Sequence, residues 1–222
     1  MKNSSEVQIN VADIRAKARE EIESALQICE AGQKKGENLK VLVFCNRKYL
    51  CDKLSEIYDC PKYYSDAPNK EEALRKWKSG LMVATGALGA GVNVDGIRWV
   101  FHWDSPNGMI EFDQEVGRGG RGGEVVKSKV LMKESTFRRY MNNASNESRR
   151  MEPDEAALNE FVTAMDCRRK AISRFMDGEG EEHKCEEIDW EVCDRCAGMM
   201  SDKEMEMREL NEVPQVRKLE NL

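Results

Sequence analysis

Nowhere in the 222 residues is there a G-x-x-x-x-G-K-[ST] loop, and no Asp-Glu pair follows a strand. The chain therefore lacks the usual means of cradling nucleotide phosphates and holding Mg²⁺ by itself. Long apolar runs are missing as well. None approaches membrane-spanning length, and the opening MKNSSEVQIN has no apolar core of the secretory kind, which excludes a membrane protein and predicts a reducing, intracellular setting. Positive charge is in short supply, with 35 Lys and Arg against 41 Asp and Glu for a net charge of −6. That balance is awkward for nucleic-acid binding but does not exclude it, because the acidic excess gathers in 177–191 and 204–212, away from the motifs below. There are no internal repeats and no recognisable winged-helix module.

Eight cysteines are present, and in a reducing compartment they are expected as thiols. Cys29, Cys45, Cys51 and Cys60 fall on or beside predicted helices and strands and read as small buried hydrophobes. The other four, Cys167, Cys185, Cys193 and Cys196, are spaced C-x17-C-x7-C-x2-C. That set can complete a closed tetrahedral zinc site with no position left for substrate, which argues for folding and not for chemistry. The competing readings are a redox Cys-x-x-Cys, whose thioredoxin-like context is absent here, and a disulfide, uncommon where thiols stay reduced. His183, two residues before Cys185, is a possible alternative ligand or a solvated loop histidine.

Strand and helix patterns alternate. Val11, Ile14, Ala18, Ile22, Leu26 and Cys29 recur at helical spacing, predicting an amphipathic helix over 11–31 ended by Gly32. Strands follow at Val41–Phe44, Leu81–Ala84, Trp99–Trp103 and Val125–Met132, with helices around Leu50, Leu54 and Ile57 and over 70–78. Such alternation implies a parallel sheet with right-handed crossovers. Beyond it the pattern turns helical over 136–146, 154–165 and 167–176, with Pro153 suited to a helix start. Two loops stand out. Thr85 to Asn93 is glycine-rich and joins two strands; it reads as a tight turn or as a close approach to a ligand. Gln114 to Gly123, QEVGRGGRGG, sets Arg118 and Arg121 among glycines, which is either a solvated basic turn or a candidate arginine finger, since the guanidinium fork matches phosphoryl oxygens. The basic clusters at 138–139, 149–150 and 168–170 read as a contact stripe or as solvated helix faces.

The order of these elements closely resembles the second RecA-like lobe of superfamily 2 helicases, and among them the RecQ family. The resemblance rests on VLVFCN at 41–46, on ATGALGAGVN at 84–93, on QEVGRGGRGG, and on CRRKAISRFMDG from Cys167 with the closing Cys193-Asp-Arg-Cys196. It covers about residues 38–200. It implies an α/β fold, a RecA-like lobe with a parallel sheet flanked by helices, followed by a small helical zinc-binding subdomain. The expected organisation is an N-terminal helix and linker at 1–37, the lobe at 38–150, the zinc-binding subdomain at 151–200 and a charged tail at 201–222.

By the same resemblance Arg121 would reach the γ-phosphate of ATP on a partner lobe, supported by Arg118, with Gln114 tying the loop to that region. Gly89, Gly91 and Asn93 would face the nucleotide, while Thr85, Gly86 and Asn46 would contact the DNA backbone. Zinc would be held by Cys167, Cys185, Cys193 and Cys196, and ATP with Mg²⁺ would bind only together with a first lobe. Three departures mark the chain. Val94-Asp95-Gly96 replaces the usual Lys-Pro-Asp, Gly122 replaces an acidic residue, and Gly120 stands where alanine is more usual, as in fungal telomere-linked relatives of RecQ. The expectation is the C-terminal motor lobe of an ATP-dependent 3′ to 5′ DNA helicase, nuclear, and a partial copy lacking the first lobe. The rival is a noncatalytic module binding nucleic acid or a partner helicase; a third reading, a superfamily 2 RNA helicase lobe, is disfavoured by the four cysteines.

Overall fold

The computed structural model describes residues 5–11, 14–89, 93–146, 149–185, 187 and 192–199. Among the described residues six parallel strands form one sheet in the order β1-β6-β5-β2-β4-β3: β1 (Ser5–Val11), β2 (Lys40–Cys45), β3 (Lys62–Tyr63), β4 (Gly80–Ala84), β5 (Ile97–Trp103) and β6 (Val126–Met132). The helices are α1 (Ile14–Gln33), α2 (Lys48–Tyr58), α3 (Lys70–Lys76), α4 (Met109–Val116), α5 (Glu134–Ala144), α6 (Pro153–Thr163), α7 (Arg168–Asp177) and the short α8 (Asp194–Ala197). The parallel α/β expectation holds.

Every residue of β2 is buried, as a central parallel strand covered on both faces must be. Its side chains alternate between two cores. Val41, Val43 and Cys45 meet Ala18, Ile22, Ala25 and Cys29 of α1 with Cys51 and Leu54 of α2. Leu42 and Phe44 point the other way, to Met82, Ala84, Leu88 and Val100. A third core joins the sheet to the helical appendage: Met109, Phe112 and Val116 of α4 pack with Val130, Met132, Tyr140, Leu158, Phe161 and Ala171.

Three differences from the sequence reading have physical causes. Residues 5–11 form an edge strand on β6, a period-2 pattern overlooked beside the longer helical one. Helix α1 runs through Gly32, and the left-handed turn comes at Gly36, with φ 83°. Arg168 and Arg169 are buried, so the basic run at 168–170 is no contact stripe. Lys170 pairs with Asp166 at 2.9 Å and Arg138 with Glu134 on solvated helix faces, and Arg149, in the loop between α5 and α6, pairs with Glu155. Cys29, Cys45 and Cys51 are buried as expected, while Cys60 is half-buried, with burial pushing its thiol up to about 12. Among the described residues no helix is long and apolar enough to cross a membrane.

Gly96 precedes β5 at φ 82°, and a Cβ there would lie 2.3 Å from the backbone oxygen of Asn38. Gly96 O in turn accepts from Lys40 N at 2.8 Å, locking the amino ends of β2 and β5 together. Neither the conformation nor the space admits a side chain. Gly96→Ala is expected to destabilise the fold by about 1–3 kcal/mol in denaturant unfolding; an unchanged midpoint would show that the turn can relax.

Candidate functional site

The candidate residues gather at the two ends of α4. At the carboxyl edge of the sheet, Asn46 follows β2 and Thr85 follows β4. Thr85 N donates to Tyr63 O at 3.0 Å, its carbonyl accepts from Leu88 N at 3.0 Å, and its hydroxyl accepts from Ala87 N at 3.4 Å. The result is a tight 3-10 turn over Gly86–Gly89. A hydroxyl that accepts here can still donate its proton to an incoming oxygen. Gly86 abuts α4 so closely that a Cβ would sit 2.2 Å from Glu111 Oε1 and 3.4 Å from Glu115 Oε1. Asn46 borders a narrow cleft with His102, Ser105, Asn107 and the same two glutamates, Glu111 and Glu115. The structure therefore brings Asn46, Thr85 and Gly86 to one edge, beside carboxylates that the sequence reading did not single out. Glu111 accepts from Asn107 Nδ2 at 2.7 Å, which turns part of its charge away from the glycine.

At the amino edge lies the arginine turn. Gly120 N donates to Ile97 O at 3.2 Å, and Gly119 packs so tightly on Val126 that a Cβ would fall 2.7 Å from its Cγ1. These contacts fasten the turn between β5 and β6. Arg121 is exposed, and its Nη1 donates to Asn93 Oδ1 at 2.6 Å, joining two candidate residues directly. Arg118 is half-buried; burial and the neighbouring Arg121 charge lower its pKa, with Glu115 opposing them. Gln114 is exposed on α4, one turn before Arg118. Gly89 closes the 3-10 turn, and Gly91 lies outside the described residues.

What holds α4 between these edges was missed. Glu115 is 5% exposed, and its Oε2 lies 2.9 Å from His102 Nε2. The imidazole lies between Phe44 and Phe112, with ring centroids at 5.7 and 5.0 Å. The signal was available, since Glu115 shares the helical face of Phe112 and Val116 and so breaks an apolar stripe. Burial raises the Glu115 carboxyl above the ordinary carboxylate range, with His102 opposing. A folded value above the unfolded one means that the native chain holds the extra proton. This site's contribution to stability is then complete below the unfolded carboxylate range and is lost as pH rises through the raised value. Glu115→Gln is expected to flatten Tm against pH across that window, and a variant keeping the wild-type slope would assign it to other groups.

In the appendage, Cys167, Cys185, Cys193 and Cys196 are all buried, their sulfurs lie within 4.8 Å of one another, and none is in a disulfide. Cys167 Sγ and Cys185 Sγ are 3.5 Å apart. Zinc–sulfur bonds of about 2.3 Å would set neighbouring sulfurs about 3.8 Å apart, so the cluster fits a tetrahedral soft cation. Backbone N–H groups of Cys185 and Cys193 donate to Cys167 Sγ and Cys185 Sγ, both at 3.4 Å, as donors to thiolates would. Burial pushes the Cys196 thiol up to about 12, and Cys185 is raised mainly by its contact with Cys167. A cation at the centre would let all four ionise. His183 stays outside the cluster, exposed on its loop, with its backbone N donating to Ser173 Oγ at 3.2 Å.

Residues 19–123 match the family described as helicase conserved C-terminal domain. An ATP-dependent RNA helicase of Acanthamoeba polyphaga mimivirus is 28% identical over 177 residues, covering 73% of this chain and 31% of that protein. The ATP-dependent helicase SGS1 of Saccharomyces cerevisiae is 24% identical over 191 residues, 77% of this chain and 13% of that protein. DEAD-box ATP-dependent RNA helicase 14 of Arabidopsis thaliana is 32% identical over 93 residues, 38% of this chain and 15% of the relative. The chain thus spans at most a third of the length of these relatives. In fold it is similar to the E. coli DEAD-box protein SrmB, solved bound to regulator of ribonuclease activity A, with a TM-score of 0.50 at 15% identity over 62% of this chain and 84% of that one. Residues 19–123, which carry strands β2 to β5 and the arginine turn, are thus similar to the conserved C-terminal domain of helicases, and the parallel sheet agrees with that likeness.

Proposed function

We propose that the chain is the second motor lobe of a RecQ-type 3′ to 5′ DNA helicase, stabilised by a structural zinc ion. The observation that carries the reading is the buried four-sulfur cluster docked behind the lobe. A contiguous match over 77% of the chain must run past Cys167, so the likeness to the ATP-dependent helicase SGS1 takes in the start of the cysteine subdomain. The 38% shared with the Arabidopsis helicase is too short to cover both the arginine turn and the whole subdomain. Likeness to the Arabidopsis RNA helicase is that short, but the mimivirus RNA helicase matches 73% of this chain, so the preference for DNA rests on the four cysteines.

The division of labour follows from the two ends of α4. Arg121 would leave Asn93 for the γ-phosphate of ATP held on a first lobe, with Arg118 behind it and Gln114 beside it. A planar, permanently charged fork there stabilises the transferring phosphoryl group. Thr85, the amides near Gly86, and Asn46 would meet a strand phosphate at the other edge, so closure around ATP at one end of α4 moves the strand contacts at the other. Zinc, held by the four thiolates, would supply folding energy and no reaction step. Such a motor would act on DNA in the nucleus. Zinc counted by native mass spectrometry, with binding to matched single-stranded DNA and RNA followed by fluorescence anisotropy, tests this. One zinc per chain and preference for DNA are expected; a metal-free chain preferring RNA would leave the RNA helicase reading.

A further inference from the structure

Arg168 is among the largest fully buried side chains of the described residues, only 1% exposed. Four of the five N–H groups of its fork are committed. Nε and Nη2 donate to the two oxygens of Asp194 at 2.6 and 2.9 Å, and Nη1 donates to the carbonyls of Phe161 and Val162 at 2.6 and 3.0 Å. Asp194 sits between Cys193 and Cys196, in the turn that closes the sulfur cluster, while Phe161 and Val162 belong to the last turn of α6. One side chain therefore ties the cysteine cluster to α6.

Helix α6 in turn grips α4. Asp154, in its first turn, accepts from Ile110 N of α4 at 2.8 Å, and Gly108 fits beneath that carboxylate with no room for a Cβ. At its other end the Phe161 ring, under the Arg168 guanidinium at 5.8 Å, packs on Phe112 at 4.9 Å between centroids. Phe112 packs on His102, which bonds Glu115. Both carboxylate and rings converge on the helix that ends in the arginine turn.

We propose that Arg168 is a positioning residue through which the folded cysteine cluster holds α4, and with it Arg118 and Arg121, in place. The functional weight of that link rests on the nucleotide-facing reading of the two arginines. Asp194 is presented to Arg168 only while the Cys193–Cys196 turn is closed. Once the turn opens, the buried guanidinium loses its counter-charge, a state that does not persist without rearrangement, and the α6 carbonyls and Phe161 are released with it. Only arginine can serve four acceptors in one plane from this position; lysine lacks the fork.

Hydrogen exchange by mass spectrometry on the whole chain tests the link directly. Arg168→Gln, and the milder Asp194→Asn should the first not fold, are expected to speed exchange of the 109–117 amides about tenfold while β2 and β5 stay protected. Arg168→Lys should fall between, and chelation of the wild type should reproduce the effect. Unchanged protection of α4 in the folded variants or after chelation would overturn the proposal, as would equal loosening of β2 and β5, which signals global destabilisation. The two readings fail separately. An unresponsive α4 defeats the positioning role, whereas a responsive α4 in a chain that never supports ATP hydrolysis with a first lobe defeats the nucleotide reading alone.

Discussion

Removing metal from the purified chain is expected to unfold the region from Cys167 to Cys196 and lower the thermal midpoint of the whole protein. Structural zinc contributes about 10–16 kcal/mol of apparent binding energy in small domains, far more than the short α8 and its loops can draw from apolar burial. The four sulfurs with Val192 form a core cluster of their own, while the rest of that region's apolar burial comes from Ala171, Ile172 and Phe175 of α7 on the third core. Cys185→Ser should act like chelation, because Cys185 Sγ touches Cys167 Sγ and accepts from Cys193 N. Circular dichroism melts with and without chelator, read beside limited proteolysis, measure the effect. A chain with the same midpoint and cleavage pattern in chelator would remove zinc from the account.

Arg121→Ala is expected to abolish ATP hydrolysis by a mixture of this chain with a separately produced first lobe while leaving the fold intact. An arginine finger contributes about 10³ to 10⁵ in turnover. The resting interaction lost is one exposed bond to Asn93, so the stability change should stay within about 0.5 kcal/mol, as for surface substitutions. Arg118→Ala is a less clean experiment, since that side chain is half-buried beside Glu115 and its loss disturbs packing as well as charge. Steady-state hydrolysis at saturating ATP, paired with a melt of each variant, separates the two outcomes. Turnover retained by Arg121→Ala would move the finger role elsewhere.

Much of the architecture was legible because its signals are local. The apolar runs at 41–44, 81–84 and 99–103 are short, flanked by polar or glycine-rich turns and long enough only for strands, and Pro153 marked the start of α6. The strand at 5–11 was lost because Val7, Ile9 and Val11 alternate just ahead of a helical pattern that shares Val11. The four cysteines were legible as a set because thiol spacing survives any loop geometry, and the structure brings them together. Arg168 was not. A run of three basic residues reads as surface, and only the return of Asp194, 26 positions later, shows that the first belongs inside. Of the His102–Glu115 pair only half was legible: Glu115 breaks the apolar stripe of Phe112 and Val116, but nothing local names its partner, on a strand 13 residues earlier. Long-range pairing of charged groups leaves no periodic trace in sequence.

The most direct test of the central claim is nucleic-acid-stimulated ATP hydrolysis by the chain mixed with a first lobe from a RecQ-type helicase, comparing DNA and RNA of the same sequence. Hydrolysis that requires both lobes, rises with DNA and falls away with Arg121→Ala is the predicted result. Stimulation by RNA and not DNA, or turnover by this chain without the first lobe, would contradict the account; no turnover in any mixture, with DNA binding retained, would leave the noncatalytic binding module in its place.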